Sequence, residues 1–289
     1  MTLDTALGTQ QRISDIVGEL DTIATLPEVV AKITQTINDP TSTAAQLHHI
    51  ISHDPALVSR LLKLANSSYY ARSSEITSVE RAITLLGFET VHHLTLAATM
   101  GQLFKNIKLC QGYTARDLWT HSIAVAATAK EMAKHTDQTM ADQAFLAGLV
   151  HDIGLLVLLQ VCPDKLQTVC ERAKLEAALF NIIELDVIGV DHQELGAALA
   201  ERWGFPQVCR AVARHHHHPA LAEPQWQTIT ALVCVADALC CQEGIGFSLT
   251  AASQLPDQPG FIGLVQLSTI QHASENLRQI VDPAIHTFI

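Results

Sequence analysis

Apolar residues recur every three to four positions along most of this chain, the spacing of amphipathic helices. Residues 10–24 place Ile13, Ile16, Val17 and Leu20 on one stripe. Leu26-Pro27-Glu28 opens a helix with Val29, Val30, Ile33 and Ile37 on its apolar face, stopped by Asn38-Asp39-Pro40. Ser42 or Thr43 caps a short helix carrying Leu47, Ile50 and Ile51. Asp54-Pro55 starts the next, with Leu57, Val58, Leu61, Leu62 and Leu64, running into Ala65-Asn66-Ser67-Ser68-Tyr69-Tyr70. Ser78 caps a helix that Gly87 closes, and a mostly apolar helix follows from about Thr90 to Phe104. The pattern lapses over Lys105–Thr114 and then resumes, in a helix from Asp117 to about Lys134. After it come helical stretches at Ala147–Leu156, Leu166–Leu175, Ile182–Ile188, Asp191–Ala200, Val208–His218 and Thr230–Leu239. The first half contains no period-two run of β-branched residues. The fold class expected is all-α, with an N-terminal helical region over 1–108 packed on a second over 109–289.

Composition narrows the class. Of 289 residues, 48% are hydrophobic, ample for a sizeable core. A formal charge of -11 argues against a broad nucleic-acid surface. No apolar run was expected to span a bilayer. Met1-Thr2-Leu3-Asp4 lacks the charged and apolar regions of an export signal. Seven irregularly spaced Cys without a Cys-x-x-Cys read as reduced thiols. These features together point to the cytoplasm and to no membrane association.

The chemistry candidates lie in the second half. His151 and Asp152 sit side by side in an apolar run, Ala147 to Leu156. On one helix they would lie roughly 100° apart, both able to reach one point at its flank. His121 lies near the start of its helix, and His192 in a first turn, followed by Gly196, which permits close backbone approach. His216 or His217 continues the helical phase of Cys209 and Ala213, with His215–His216 the competing register. Asp237 stands alone in an apolar helix. A His or Asp buried alone costs several kcal/mol, and a shared cation would relieve them all. Imidazole and carboxylate donors suit Fe, Zn, Mn or Ni, as one or two ions. His48, His49, His53, His92 and His93 show no ligand-gathering spacing and read as solvated helix residues.

The order His121, His151-Asp152, Asp237 resembles the HD superfamily of metal-dependent phosphohydrolases. The first half is more diagnostic. Leu26-Pro27, Asp54-Pro55-Ala56-Leu57, Leu64-Ala65-Asn66-Ser67-Ser68-Tyr69-Tyr70 and Ala82-Ile83-Thr84-Leu85-Leu86-Gly87 resemble the HDOD domain, the HD-related output domain of bacterial signalling proteins. Asp191-His192-x-x-x-Gly196 and Trp203-Gly204-Phe205-Pro206 also match that family, so the resemblance covers roughly Leu26 to Cys241. It implies an HD-type helical bundle whose metal ligands are His121, His151, Asp152, His192, His216, His217 and Asp237. His192 and the His-His pair are similar to the extra ligands of dinuclear HD-GYP phosphodiesterases. Those enzymes carry a Lys shortly after His-Asp, where this chain reads Ile153-Gly154-Leu155-Leu156. After His-His they carry Glu and a Gly-Tyr-Pro loop, where this chain has His218-Pro219.

The resemblance implies a bacterial signal-transduction output module carrying a metal site and lacking cyclic-dinucleotide phosphodiesterase activity. The competing implication is a metal-dependent phosphohydrolase, with Asp152 at the centre of catalysis. A signalling protein is the expected partner, with a phosphorylated small molecule or nucleotide as ligand under the second reading.

Overall fold

The computed structural model describes residues 28–39, 41–67, 75–101, 108–176, 178–250 and 264–289, with positions 13, 16, 70, 103 and 104 between them. The stripe expected over 10–24 lies outside the described residues except for Ile13 and Ile16, and Leu26-Pro27 and Ser68-Tyr69 also lie outside.

The N-terminal half is built from α1 (Glu28–Asn38), α2 (Ala44–Ser52), α3 (Pro55–Ala65), α4 (Val79–Leu86) and α5 (Phe88–Met100). Local chemistry sets their starts. Thr43 and Gln46 form a reciprocal capping box on α2. Asp54 accepts from the Ala56 and Leu57 amides, with Pro55 filling the first position of α3, where no amide hydrogen is needed. Ser78 accepts from the Arg81 amide to cap α4. Leu57, Leu61 and Leu64 point α3 inward, while α5 is buried at every position from Val91 to Met100.

The expected seam holds a small antiparallel hairpin, β1 (Lys108–Cys110) and β2 (Tyr113–Thr114), with Lys108 opposite Thr114. It is the strand pairing found among the described residues. The second half follows as α6 (Ala115–Thr136), α7 (Ala141–Val150), α8 (Ile153–Val161), α9 (Pro163–Leu175), α10 (Phe180–Val187), α11 (His192–Arg202), α12 (Gln207–His215), α13 (Gln227–Gln242), α14 (Leu267–Glu275) and α15 (Leu277–Phe288). The long helix α6 is the axis of this half, packed on α7, α13, α14 and α15. One buried apolar cluster runs from Ile33 to Ala284 through both halves. A polar clip reinforces the join: Asp142 of the second half accepts from Thr90 of the first at 2.9 Å, and also from Lys130 in its own half at 2.8 Å.

Three expectations are corrected. His92 and His93 are not solvated; α5 is covered on all sides, and His92 Nε2 lies 2.8 Å from the Ile33 carbonyl of α1. Burial holds both imidazoles well below their usual pKa, at about 4 for His92 and about 3 for His93. Next, His151 and Asp152 do not share one helix: α7 ends at Val150, Asp152 takes φ -99° and ψ 17°, and α8 begins at Ile153. Lastly, Gln138–Val161 is apolar and nearly continuous enough to reach membrane-spanning length, which the sequence was not expected to contain. The most apolar part of that stretch is mostly buried inside the protein, so its apolar surface is already covered by the protein's own helices.

Candidate metal centre

Four helices and one break deliver the predicted side chains to a single buried point. The capping box of Thr114 and Asp117 fixes the start of α6 and hence the turn that carries His121. The α7–α8 break turns His151 and Asp152 inward together. Asp191 caps α11 by accepting from the Glu194 amide, which places His192 at its first position. The end of α12 supplies His216 and His217, and the middle of α13 supplies Asp237. All seven side chains are at most 3% exposed. His218 is exposed and His215 half-buried, so the inward pair in the His run is His216–His217.

Two glycines make this convergence sterically feasible. A Cβ on Gly154 would lie 1.9 Å from the His192 carbonyl oxygen and 2.8 Å from the Gly196 nitrogen, so α8 and α11 touch backbone to backbone there. Gly246, at φ +68°, lays the loop after α13 against the backbone of His121.

The geometry divides around Asp152. Its Oδ2 lies 3.3 Å from His151 Nε2, while its Oδ1 lies 3.4 Å from both His192 Nε2 and His216 Nε2. On the first side, His121 Nε2 is 3.0 Å from Asp237 Oδ1, which is 4.0 Å from His151 Nε2. On the second side, His192 Nε2 is 3.3 Å from His216 Nε2 and 3.1 Å from His217 Nε2. Most rings are held from behind. His151 Nδ1 faces the Gly148 carbonyl at 2.8 Å, His216 Nδ1 the Ala213 carbonyl at 3.1 Å, and His121 Nδ1 the Ile245 carbonyl at 3.2 Å. His192 Nδ1 is held by the Glu184 carboxylate at 2.6 Å. A carbonyl behind Nδ1 can only accept, which puts the ring proton there and leaves the Nε2 lone pair facing inward.

This arrangement is costly as bare protein. Asp152 Oδ1 and Oδ2, Asp237 Oδ2, His151 Nε2 and His217 Nδ1 are buried with no hydrogen-bond partner. At about 1–3 kcal/mol each, five such atoms cost on the order of the whole net stability of a domain. Two ligands about 2.1 Å from one ion at tetrahedral to octahedral angles sit about 3.0–3.4 Å apart, which matches the close inward contacts. The buried His and Asp groups therefore suit a divalent cation.

Electrostatics set the charges that the buried residues balance against one another. Burial would raise the Asp152 and Asp237 pKa, but the facing histidines hold both below the carboxylate range. Burial lowers His216 and His217, keeping those rings neutral and able to donate lone pairs. Burial would also lower His151 and His192. The adjacent Asp152 raises the former, and Glu184 pushes the latter up to about 10.

Glu184 and Cys241 were not anticipated from the sequence. Glu184 is fully buried and orients His192; Cys241 Sγ donates to Asp237 Oδ1 at 3.4 Å. A signal for Glu184 was available: with Asp186 it is one of two carboxylates in the otherwise apolar segment Ile182–Ile188.

Known proteins fit this architecture. A protein of Treponema pallidum (strain Nichols), itself uncharacterized, is 25% identical over 230 residues, 79% of this chain and 44% of that protein. The chain thus spans less than half the length of that relative. The crystal structure of an HDOD domain protein of unknown function from Geobacter sulfurreducens superposes with a TM-score of 0.79 at 23% identity, covering 97% of this chain and 99% of the other. A candidate signal transduction protein from Marinobacter aquaeolei gives 0.79 at 24%, covering 99% and 66%. A candidate phosphohydrolase from Shewanella amazonensis gives 0.72 at 22%, covering 94% and 96%. These likenesses establish the fold. The HDOD domain family matches residues 23–219, more than half of the sequence, and the chain belongs to that family.

Proposed function

We propose that this chain is a signal-transduction output module of the HDOD type, built around an enclosed dinuclear metal centre and lacking cyclic-dinucleotide phosphodiesterase activity. His121, His151, Asp152 and Asp237 hold one ion. His192, His216 and His217 would hold a second, with Asp152 lying between the two donor sets. Fe, Zn, Mn and Ni all suit the donor set. The observation that carries this reading is enclosure: all seven ligands are at most 3% exposed, so no face of the cage meets solvent broadly enough to admit a cyclic dinucleotide. In such a module these residues would hold ions that neutralise Asp152 and Asp237, and the shared ligation would tie α6, α11, α12, α13 and the α7–α8 break together. The output surface then acts on a protein partner, in keeping with the net charge of -11, which disfavours nucleic acid.

A second reading, a metal-dependent phosphohydrolase, is favoured by one observation: two complete donor sets share one carboxylate. A bound ion would supply a water of lowered pKa and polarise a phosphoryl oxygen. Asp152 would then fix the two halves of the site relative to each other, and Glu184 would hold His192 in its donor tautomer. The Shewanella amazonensis protein of similar fold is described as a phosphohydrolase candidate, which raises this reading without deciding it.

The experiment is a turnover assay on tag-free protein loaded with Mn or Fe, using phosphomonoesters, phosphodiesters and cyclic dinucleotides. The output-module reading expects no turnover. Hydrolysis of a phosphoester that disappears in Asp152→Ala would replace it with the second reading.

A further inference from the structure

Far from the buried centre, the last turn of α6 carries Glu131 and His135, one helical turn apart on the same face. Helix α14 packs on α6 and brings His272 to them. One donor atom from each of the three lies within 4.8 Å of the other two. His135 Nε2 is 3.5 Å from Glu131 Oε1, and the His135 and His272 rings are 4.3 Å apart between centroids. The set is partly organised from outside. Lys134 binds the far carboxylate oxygen, Oε2, at 2.8 Å, leaving Oε1 turned towards the rings. Asn276 donates to the His272 carbonyl at 2.9 Å, fixing the end of α14, and its amide nitrogen stands 3.4 Å from His272 Nδ1. Burial would raise the Glu131 carboxyl, but Lys134 and the two histidines hold it lower, so it is ionised at neutral pH.

We propose that Glu131, His135 and His272 form a separate, solvent-accessible site for a divalent transition metal, Zn2+ being the ion their two imidazoles and one carboxylate suit, and that its occupancy clamps α14 onto α6. The donor set is the His2Glu combination that leaves a fourth position for water on zinc. His135 is exposed and Glu131 and His272 are half-buried, so the ion exchanges with the medium, unlike one enclosed in the cage. The clamp joins elements distant in sequence. Its consequence is local: it reduces fraying of α14, the helix that leads into α15, and both pack on the helix that carries His121. It holds whether or not the buried centre carries ions.

The test uses the full tag-free chain, with the content of its buried centre measured beforehand. Zn2+ is titrated by calorimetry at pH 8, and backbone hydrogen exchange is followed with and without Zn2+. Wild-type protein takes up one Zn2+ that His135→Gln and His272→Gln do not, and amides of 267–275 exchange more slowly only in wild-type. Both substitutions are at the surface, and circular dichroism confirms that the variants are folded. Equal uptake by wild-type and both variants, or no uptake at pH 8, overturns the proposal. So does uptake without slowed exchange in 267–275, since the clamp is then absent.

Discussion

Glu184→Gln is the perturbation that isolates one half of the proposed centre. The change keeps shape and removes a charge. Glu184 Oε2 accepts from His192 Nδ1 at 2.6 Å and from the His192 amide at 3.1 Å, all fully buried. A hydrogen bond to a charged group contributes about 1.5–3 kcal/mol and a neutral one about 0.5–1.5 kcal/mol. The swap therefore removes about 1–2 kcal/mol of orientation, or about 5- to 30-fold in ion affinity. That overlaps the roughly 10–100-fold typical when a carboxylate behind a ligating histidine is lost. A glutamine that turns its amide towards Nδ1 also forces the ring proton to Nε2, where the lone pair is needed, so the loss falls at the upper end. The assay is competition against a chromophoric chelator, resolving the two ions. The His192 half weakens, and the half bounded by His121 and Asp237 does not. Equal weakening of both halves, or none, would refute the division around Asp152.

Gly154→Ala drives a Cβ to 1.9 Å from the His192 carbonyl, with backbone on both sides and no flexible side chain to give way. Overpacking of this kind costs about 1–3 kcal/mol or more; thermal unfolding should show a clear fall in Tm and metal analysis a partial loss of ions, whereas an unchanged Tm contradicts the close approach. His92 predicts acid sensitivity. Its pKa falls from 6.5 in the unfolded chain to about 4 in the fold, so the unfolded state binds more protons between those values. Stability present above pH 6.5 is lost as pH drops towards 4, by about 2 kcal/mol at pH 5 for this one group. Urea unfolding at pH 7 and pH 5 checks this: His92→Gln should narrow the gap between the two by about 2 kcal/mol, and an unchanged gap would contradict the buried neutral imidazole.

Much of the fold was legible because capping chemistry is local. Thr43, Asp54-Pro55 and Ser78 act within four residues, so a one-dimensional reading finds them. Long-range packing is where such reading fails. His92 and His93 read as solvated by the usual surface preference of histidine, but α5 is enclosed by α1, α3, α4 and α7, a fact no local pattern carries. The break at Asp152 was hidden because Ile153 to Leu156 continues the apolar run without a Pro or a turn signature. The converging side chains were legible as a list of misplaced polar residues, but whether they gather as one set or two was left open. That depends on which oxygen of Asp152 faces which ring. Glu184 stands behind His192 rather than facing inward, so a pattern of inward-pointing donors does not include it.

The central claim is that Asp152 joins two ion sites. The most direct measurement is the metal content per chain of tag-free protein, purified without a nickel column, for wild-type, Asp152→Ala and a His216→Ala/His217→Ala double variant. The account predicts two ions in wild-type, one in the double variant and none in Asp152→Ala, with all three folded by circular dichroism. A metal-free wild-type that refuses added Mn, Fe and Zn, or an Asp152→Ala that keeps both ions, would contradict it.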